Sequence, residues 1–133
     1  MAVQLSVAVR NARLDSIETT IGVSPSLEIR SGAPPATCAT ASSGTVLATL
    51  ALPSDWMSAA ASGVKALLGT WQDASADAAG TAGHFRVFAG ATCHIQGTVT
   101  ATAGGGDMTV DNVVFASGQQ INVTSFSLTD GNA

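Results

Sequence analysis

Charge is scarce in this chain. Only 11% of its 133 residues are charged, and the cations are limited to Arg10, Arg13, Arg30, Lys65 and Arg86. With a net charge of −4, these leave no basic stripe for a phosphate backbone, so nucleic-acid binding is not expected. Aromatic residues are scarcer still, at 5%. Trp56 and Trp71 are therefore expected to anchor a core or an interface rather than form an exposed stacking platform. No run of eighteen apolar residues exists, so no membrane-spanning helix is expected, and the N-terminus lacks the order of a secretory signal. The expectation is a chain made and kept in the cytosol, or released by lysis. Two cysteines in that setting, Cys38 and Cys93, are expected to be reduced and buried.

What the sequence has is alternation. Over residues 82–129, Phe85, Val87 and Ala89 share one parity, with His84, Arg86 and Phe88 on the other. Cys93, Ile95, Gly97 and Val99 alternate with His94, Gln96, Thr98 and Thr100. This is the period of half-buried strands. Gly104-Gly105-Gly106-Asp107 is expected to turn the chain so that a strand over 108–114 runs back antiparallel, and Ser117-Gly118-Gln119 precedes the last strand. There Ile121 and Val123 share one parity while Phe126 and Leu128 share the other. The slip near Thr124 predicts a β-bulge. Further strands are predicted around 27–30, 45–52 and 64–71, for about seven in all. The expected fold is mainly β, an antiparallel sandwich with an N-terminal amphipathic helix. Phe85, Val87, Ile95, Val99, Val110, Val123 and Phe126 form its expected core.

Val3, Val7, Leu14, Ile17 and Ile21 trace one helical face, interrupted by Arg10. Ser6 is a candidate N-cap, and Gly22 and Pro25 end the helix near Ile21. The chain is thus divided into a helical arm over 1–25 and a β domain over 26–133. The stripe either packs on its own domain or meets a neighbouring copy or partner; on the second reading Val7, Leu14, Ile17, Ile21, Leu27 and Ile29 are the expected interface residues. Residues 33–44 contain Pro34 and Pro35 and little that builds a core, so they are expected to form a surface loop.

Little here points to chemistry. His84 and His94 bracket a hairpin and, with Asp107 or Asp111, are the set to weigh for a metal, but they lack a metal-ligand spacing. Their parities match the polar face of a strand pair. Asp73 and Asp77 sit where Asp serves turns and caps. No nucleophile elbow or phosphate-cradling loop is present. No catalytic residue, metal or cofactor is expected, and the chain is not expected to be an enzyme.

Several segments together carry a family resemblance. They are Arg10-Asn11-Ala12-Arg13-Leu14-Asp15, Ile17-Glu18-Thr19-Thr20-Ile21-Gly22, Leu27-Glu28-Ile29-Arg30-Ser31-Gly32 and Leu52-Pro53-Ser54-Asp55-Trp56-Met57. The stretch from Asp77-Ala78-Ala79-Gly80 through Gly83-His84-Phe85-Arg86, then Gln96-Gly97-Thr98-Val99 and the ending Phe126-Ser127-Leu128-Thr129-Asp130-Gly131-Asn132-Ala133, complete the set. Over nearly its whole length the chain resembles small structural proteins of tailed bacteriophages and prophages. The resemblance implies a virion component assembled in the host cytoplasm, with capsid decoration the favoured use and a tail, collar or fibre-associated role the alternative. It implies the major capsid protein or other virion proteins as partners; the homo-oligomer is the expectation from the helical stripe and the strand over 27–30. It brings no catalytic motif.

Overall fold

The computed structural model describes residues 3–132. Helix α1 (Val7–Ile21) begins where Ser6, in extended conformation, accepts the Val9 N–H on its Oγ at 3.3 Å. It ends where the Gly22 N–H donates to Glu18 O at 2.8 Å, with Gly22 at φ +94°, a conformation that favours glycine. Both ends fall where Ser6 and Gly22 predicted them. The C-terminal half of the stripe is used at home: Leu14 and Ile21 are buried, and Ile17 packs against the core.

Nine strands follow: β1 (Ser26–Ser31), β2 (Val46–Ala51), β3 (Val64–Ala66), β4 (Gln72–Asp73), β5 (Gly80–Ala89), β6 (Thr92–Ala101), β7 (Met108–Val110), β8 (Val114–Phe115) and β9 (Ile121–Thr129). They form one curled mixed sheet in the order β2-β1-β5-β6-β7-β9-β3, with β4 on β9 and β8 on β5. The fold is mainly β with a single N-terminal helix, roughly a sandwich or half-barrel. The strand expected over 64–71 is only three residues long. That expected over 108–114 is broken, because Asp111 and Asn112 carboxyl and amide oxygens take the backbone N–H groups of Asn112 and Val114.

The inner face follows the predicted parity. Phe85, Val87, Val99, Val110, Val123 and Phe126 are buried and Ile95 is packed against them. Through this core runs an aromatic series, Trp56 to Trp71 to Phe126 to Phe85, with ring centroids 6.0, 5.5 and 5.5 Å apart. Both indoles are fully buried and satisfied: Trp56 Nε1 donates to Gly22 O, and Trp71 Nε1 to Trp56 O and Leu68 O.

One connection departs from expectation. β7 runs parallel to β6, with Val99 opposite Met108 and Ala101 opposite Val110. The glycine segment therefore makes no hairpin. Instead Asp107 Oδ2 accepts from the Thr98 N–H and hydroxyl at 2.9 and 3.0 Å, and Thr100 Oγ1 accepts the Gly106 N–H at 3.0 Å. These bonds draw the loop back along β6 before β7 begins. Gly106 serves close approach, since a Cβ there would lie 2.8 Å from Thr100 Cγ2. The predicted bulge is present: Thr109 pairs with Ser125 but Val110 with Val123, leaving Thr124 extra. The Thr109 hydroxyl lies 2.6 Å from the hydroxyls of both Thr124 and Ser125.

Candidate functional site

Four of the six expected interface residues are unavailable to a neighbour. Leu27 and Ile29 lie on β1, which is paired on both sides, and they are wholly buried in the core, as are Leu14 and Ile21 nearly so. Ile21 joins the core cluster of the sheet and Ile17 packs against it, so this part of the stripe finds its partner surface within the chain. Ile17 is half-buried between two open depressions, and Val7 is 48% exposed.

Polar contacts hold the helix as well as apolar ones. Lys65, 2% exposed, places its ammonium 2.8 Å from each of Asp15 Oδ1, Glu18 Oε2 and Ser58 O, three acceptors for three donors. Burial opposes the Lys65 charge, but the bonds to Asp15 and Glu18 outweigh it and leave the pKa raised. The Lys65 bond and the Ala60 amide together hold the Asp15 carboxyl below its ordinary value. On the neighbouring face Asn11 Oδ1 accepts the Gly63 N–H, and Arg10 and Arg13 reach Asp130 through its carbonyl and carboxylate. On β3 it is Val64 that is exposed, while Lys65 faces the helix that satisfies it.

The outer face of β5 and β6 is not the open polar face its parity suggested. His84 and Arg86 are 0% and 1% exposed. Residues 33–44 form the expected surface loop, and together with Gly32 they lie over His84 and Arg86 as a strap. A segment with two prolines and no strand partner has carbonyls to satisfy, and the sheet supplies the donors. His84 Nδ1 lies 2.8 Å from Gly32 O, which makes Nδ1 the protonated nitrogen, and Gln96 Nε2 donates to Pro35 O at 2.6 Å. Arg86 donates to Cys38 O, Thr40 O and Ser42 Oγ at 2.8, 3.0 and 2.6 Å, and Arg30 to Ser43 O and Gly44 O. Arg86 also stacks over Phe88 at 5.5 Å. These four side chains were missed as a set. The signal was available in principle: polar residues of one strand parity beside a proline-containing segment with no strand pattern.

The titratable residues weighed for chemistry are dispersed. His84 is opposite Thr98 in the sheet, under the strap, whereas His94 is exposed beside α1, next to Ser16, Ile17, Thr20 and Ile21. They do not face each other. Asp73 accepts the Thr49 and Ser75 N–H groups and Asp77 accepts the Thr49 hydroxyl, which ties the outer edge of β2 to the chain's own loop. Asp107 and Asp111 likewise hold turns. Among the described residues no group of three His, Cys, Asp or Glu side chains is placed to hold a metal ion, and no helix is long and apolar enough to cross a membrane. Cys38 and Cys93 are free and half-buried rather than buried, and they line one small cavity with Arg86 and Phe88.

Large apolar residues are exposed singly at Val23, Val64, Leu68 and Val114, and as a run at the start of the chain. Val3, Val7 and Val9 are 81%, 48% and 46% exposed at the start of the chain. The segment is nevertheless fixed in place, since the Leu5 N–H donates to Asn132 O at 2.7 Å. No protein-family model, curated protein or solved structure matches the chain.

Proposed function

We propose that the chain is a structural protein of tailed-bacteriophage virions, and within that class a capsid decoration protein that binds the major capsid lattice in many copies. The observation that carries the reading is the run of exposed Val3, Val7 and Val9 at the start of the chain, on a body rich in small and hydroxyl residues whose other exposed large apolar residues, Val23, Val64, Leu68 and Val114, stand singly along the sequence. It joins the sequence resemblance to virion proteins. Such a segment gives a modest contact per copy, and a repeating lattice converts modest contacts into stable attachment through avidity. Few charges let copies approach closely. Of the expected interface residues, Val7 and Ile17 retain the role; the buried residues of α1 and β1 instead make the rigid body that presents them. Protein–protein contact is the activity, with the virion as its location.

The test is copy number in purified particles. Quantitative mass spectrometry of particles from a lysate of the encoding strain should find the chain near the stoichiometry of the major capsid protein. A handful of copies per particle would place it in the tail, collar or fibres, and its absence would overturn the virion reading altogether.

A further inference from the structure

The strap and the sheet beneath it each carry one cysteine. Cys38 lies in the middle of the strap, with its carbonyl held by Arg86 Nη2 at 2.8 Å. Cys93 lies on β6 opposite Phe88, the residue over which the Arg86 guanidinium stacks. The two line a single cavity of about 210 Å³ with residues 39–42, Arg86, Phe88 and Ala91. Neither is fully buried, so a small reagent can reach them. The layer between strap and sheet is incompletely satisfied: the sheet atoms His84 Nε2, Arg86 Nε and Gln96 Oε1 are buried with no partner among the described residues.

We propose that Cys38 and Cys93 form a redox-sensitive pair, which a low-molecular-weight disulfide of the glutathione type oxidises to a cystine that staples the strap to β6. The Cys93 thiolate attacks one sulfur of the small disulfide and expels a small thiol, leaving a mixed disulfide. The Cys38 thiolate then attacks Cys93 Sγ and expels the second small thiol. Two protein thiols and one small disulfide become one protein disulfide and two small thiols, so electrons and protons balance.

The order follows from the surroundings. Burial, and then the contact with Cys93, push the Cys38 thiol up to about 11, with Arg86 opposing weakly. Burial, the larger cause and the one that persists once Cys93 carries the small thiol, makes Cys38 the slow nucleophile at neutral pH, and its ionisation sets the pace of closure. A bond here closes a loop between residues 38 and 93, and it acts on a segment held to the sheet by hydrogen bonds alone. The reduced form leaves the strap able to lift, while the oxidised form fixes it.

The test uses the full chain, fully reduced and then incubated with oxidised glutathione at pH 7 and pH 9. Expected is a monomer lighter by about 2 Da, a Cys38–Cys93 peptide on mapping, and faster closure at pH 9. The melting temperature should rise by roughly 5–10 °C and fall back with dithiothreitol. Cys38→Ser should instead stop at a single glutathione adduct on Cys93. Two persistent adducts on the native chain, or a disulfide between two copies, would overturn the proposal. So would an intramolecular bond that leaves hydrogen exchange over residues 36–44 unchanged, since the strap would not then be what it fixes.

Discussion

Arg86 stands opposite Glu28 in the β1–β5 register, yet each binds elsewhere. Glu28 Oε2 accepts from Arg30 Nε and Nη2 at 2.8 and 2.6 Å, while Arg86 gives its guanidinium to the strap. A pair that the strand register alone would make an ion pair is instead divided between two tasks. Arg30 is neutralised locally and also holds one end of the strap, and Arg86 holds its middle.

The first prediction tests that division. Arg86→Met removes three donors at once and leaves Cys38 O and Thr40 O short of partners, which should cost roughly 2–3 kcal/mol. Limited proteolysis should then cut within residues 36–44 while the rest of the sheet stays intact. Arg86→Lys should recover little, because one ammonium cannot reproduce the spread of a guanidinium over three acceptors. Uniform loss of protection across the sheet would show that Arg86 supports the core rather than the strap.

Gly83→Ala should loosen the same strap from its other end. A Cβ at Gly83 would collide with the backbone of Gly32, whose carbonyl His84 holds. The collision is with main chain and cannot be relieved by a side-chain rotation, so a loss of about 1–3 kcal/mol is expected in denaturant unfolding. A variant as stable as the parent would mean that the base of the strap moves freely.

Phe85→Ala tests the core. Phe85 is buried and meets Phe126 edge-on, with rings at 80°. Removing it should cost about 3–5 kcal/mol, enough to threaten a marginally stable domain. Thermal melting checks this directly, and a parent-like melt would place Phe85 outside the core.

The helix should be docked across a wide pH range and released at both extremes. Asp15 has a folded pKa below its unfolded value of about 3.9, so its contribution is complete above that value and is lost as pH falls through the folded pKa. Lys65 has a folded pKa above its unfolded value of about 10.4, so its contribution is complete below that value and is lost as pH rises through the folded pKa. Lys65→Met should lower stability by about 2 kcal/mol near neutrality. The gap between parent and variant melting temperatures should stay flat between about pH 4 and pH 10 and narrow outside it. A gap that widens in acid would mean that Lys65 is not what holds Asp15 down.

Local chemistry was legible in the residues. Ser6 and Gly22 bound the helix because capping depends on groups within one turn. The parity of Phe85, Val87 and Val99 gave the core face, because a strand buries alternate side chains whatever its partner. The slip at Thr124 marked the bulge for the same reason. What the sequence left open was every choice of partner. The helical stripe was visible, but that Ile21 and Ile17 pack on their own sheet depends on where folding brings the sheet's core residues. Asp107 and the glycines before it fit a hairpin as well as the parallel return, and only the bonds to Thr98 and Thr100 decide between them. His84, Arg86 and Gln96 read as solvated because polarity along a strand reports that a face is polar, not that water is what satisfies it. A proline-bearing segment 50 residues away in sequence takes that place, and such a pairing of distant donors and carbonyls exists only once the chain has folded.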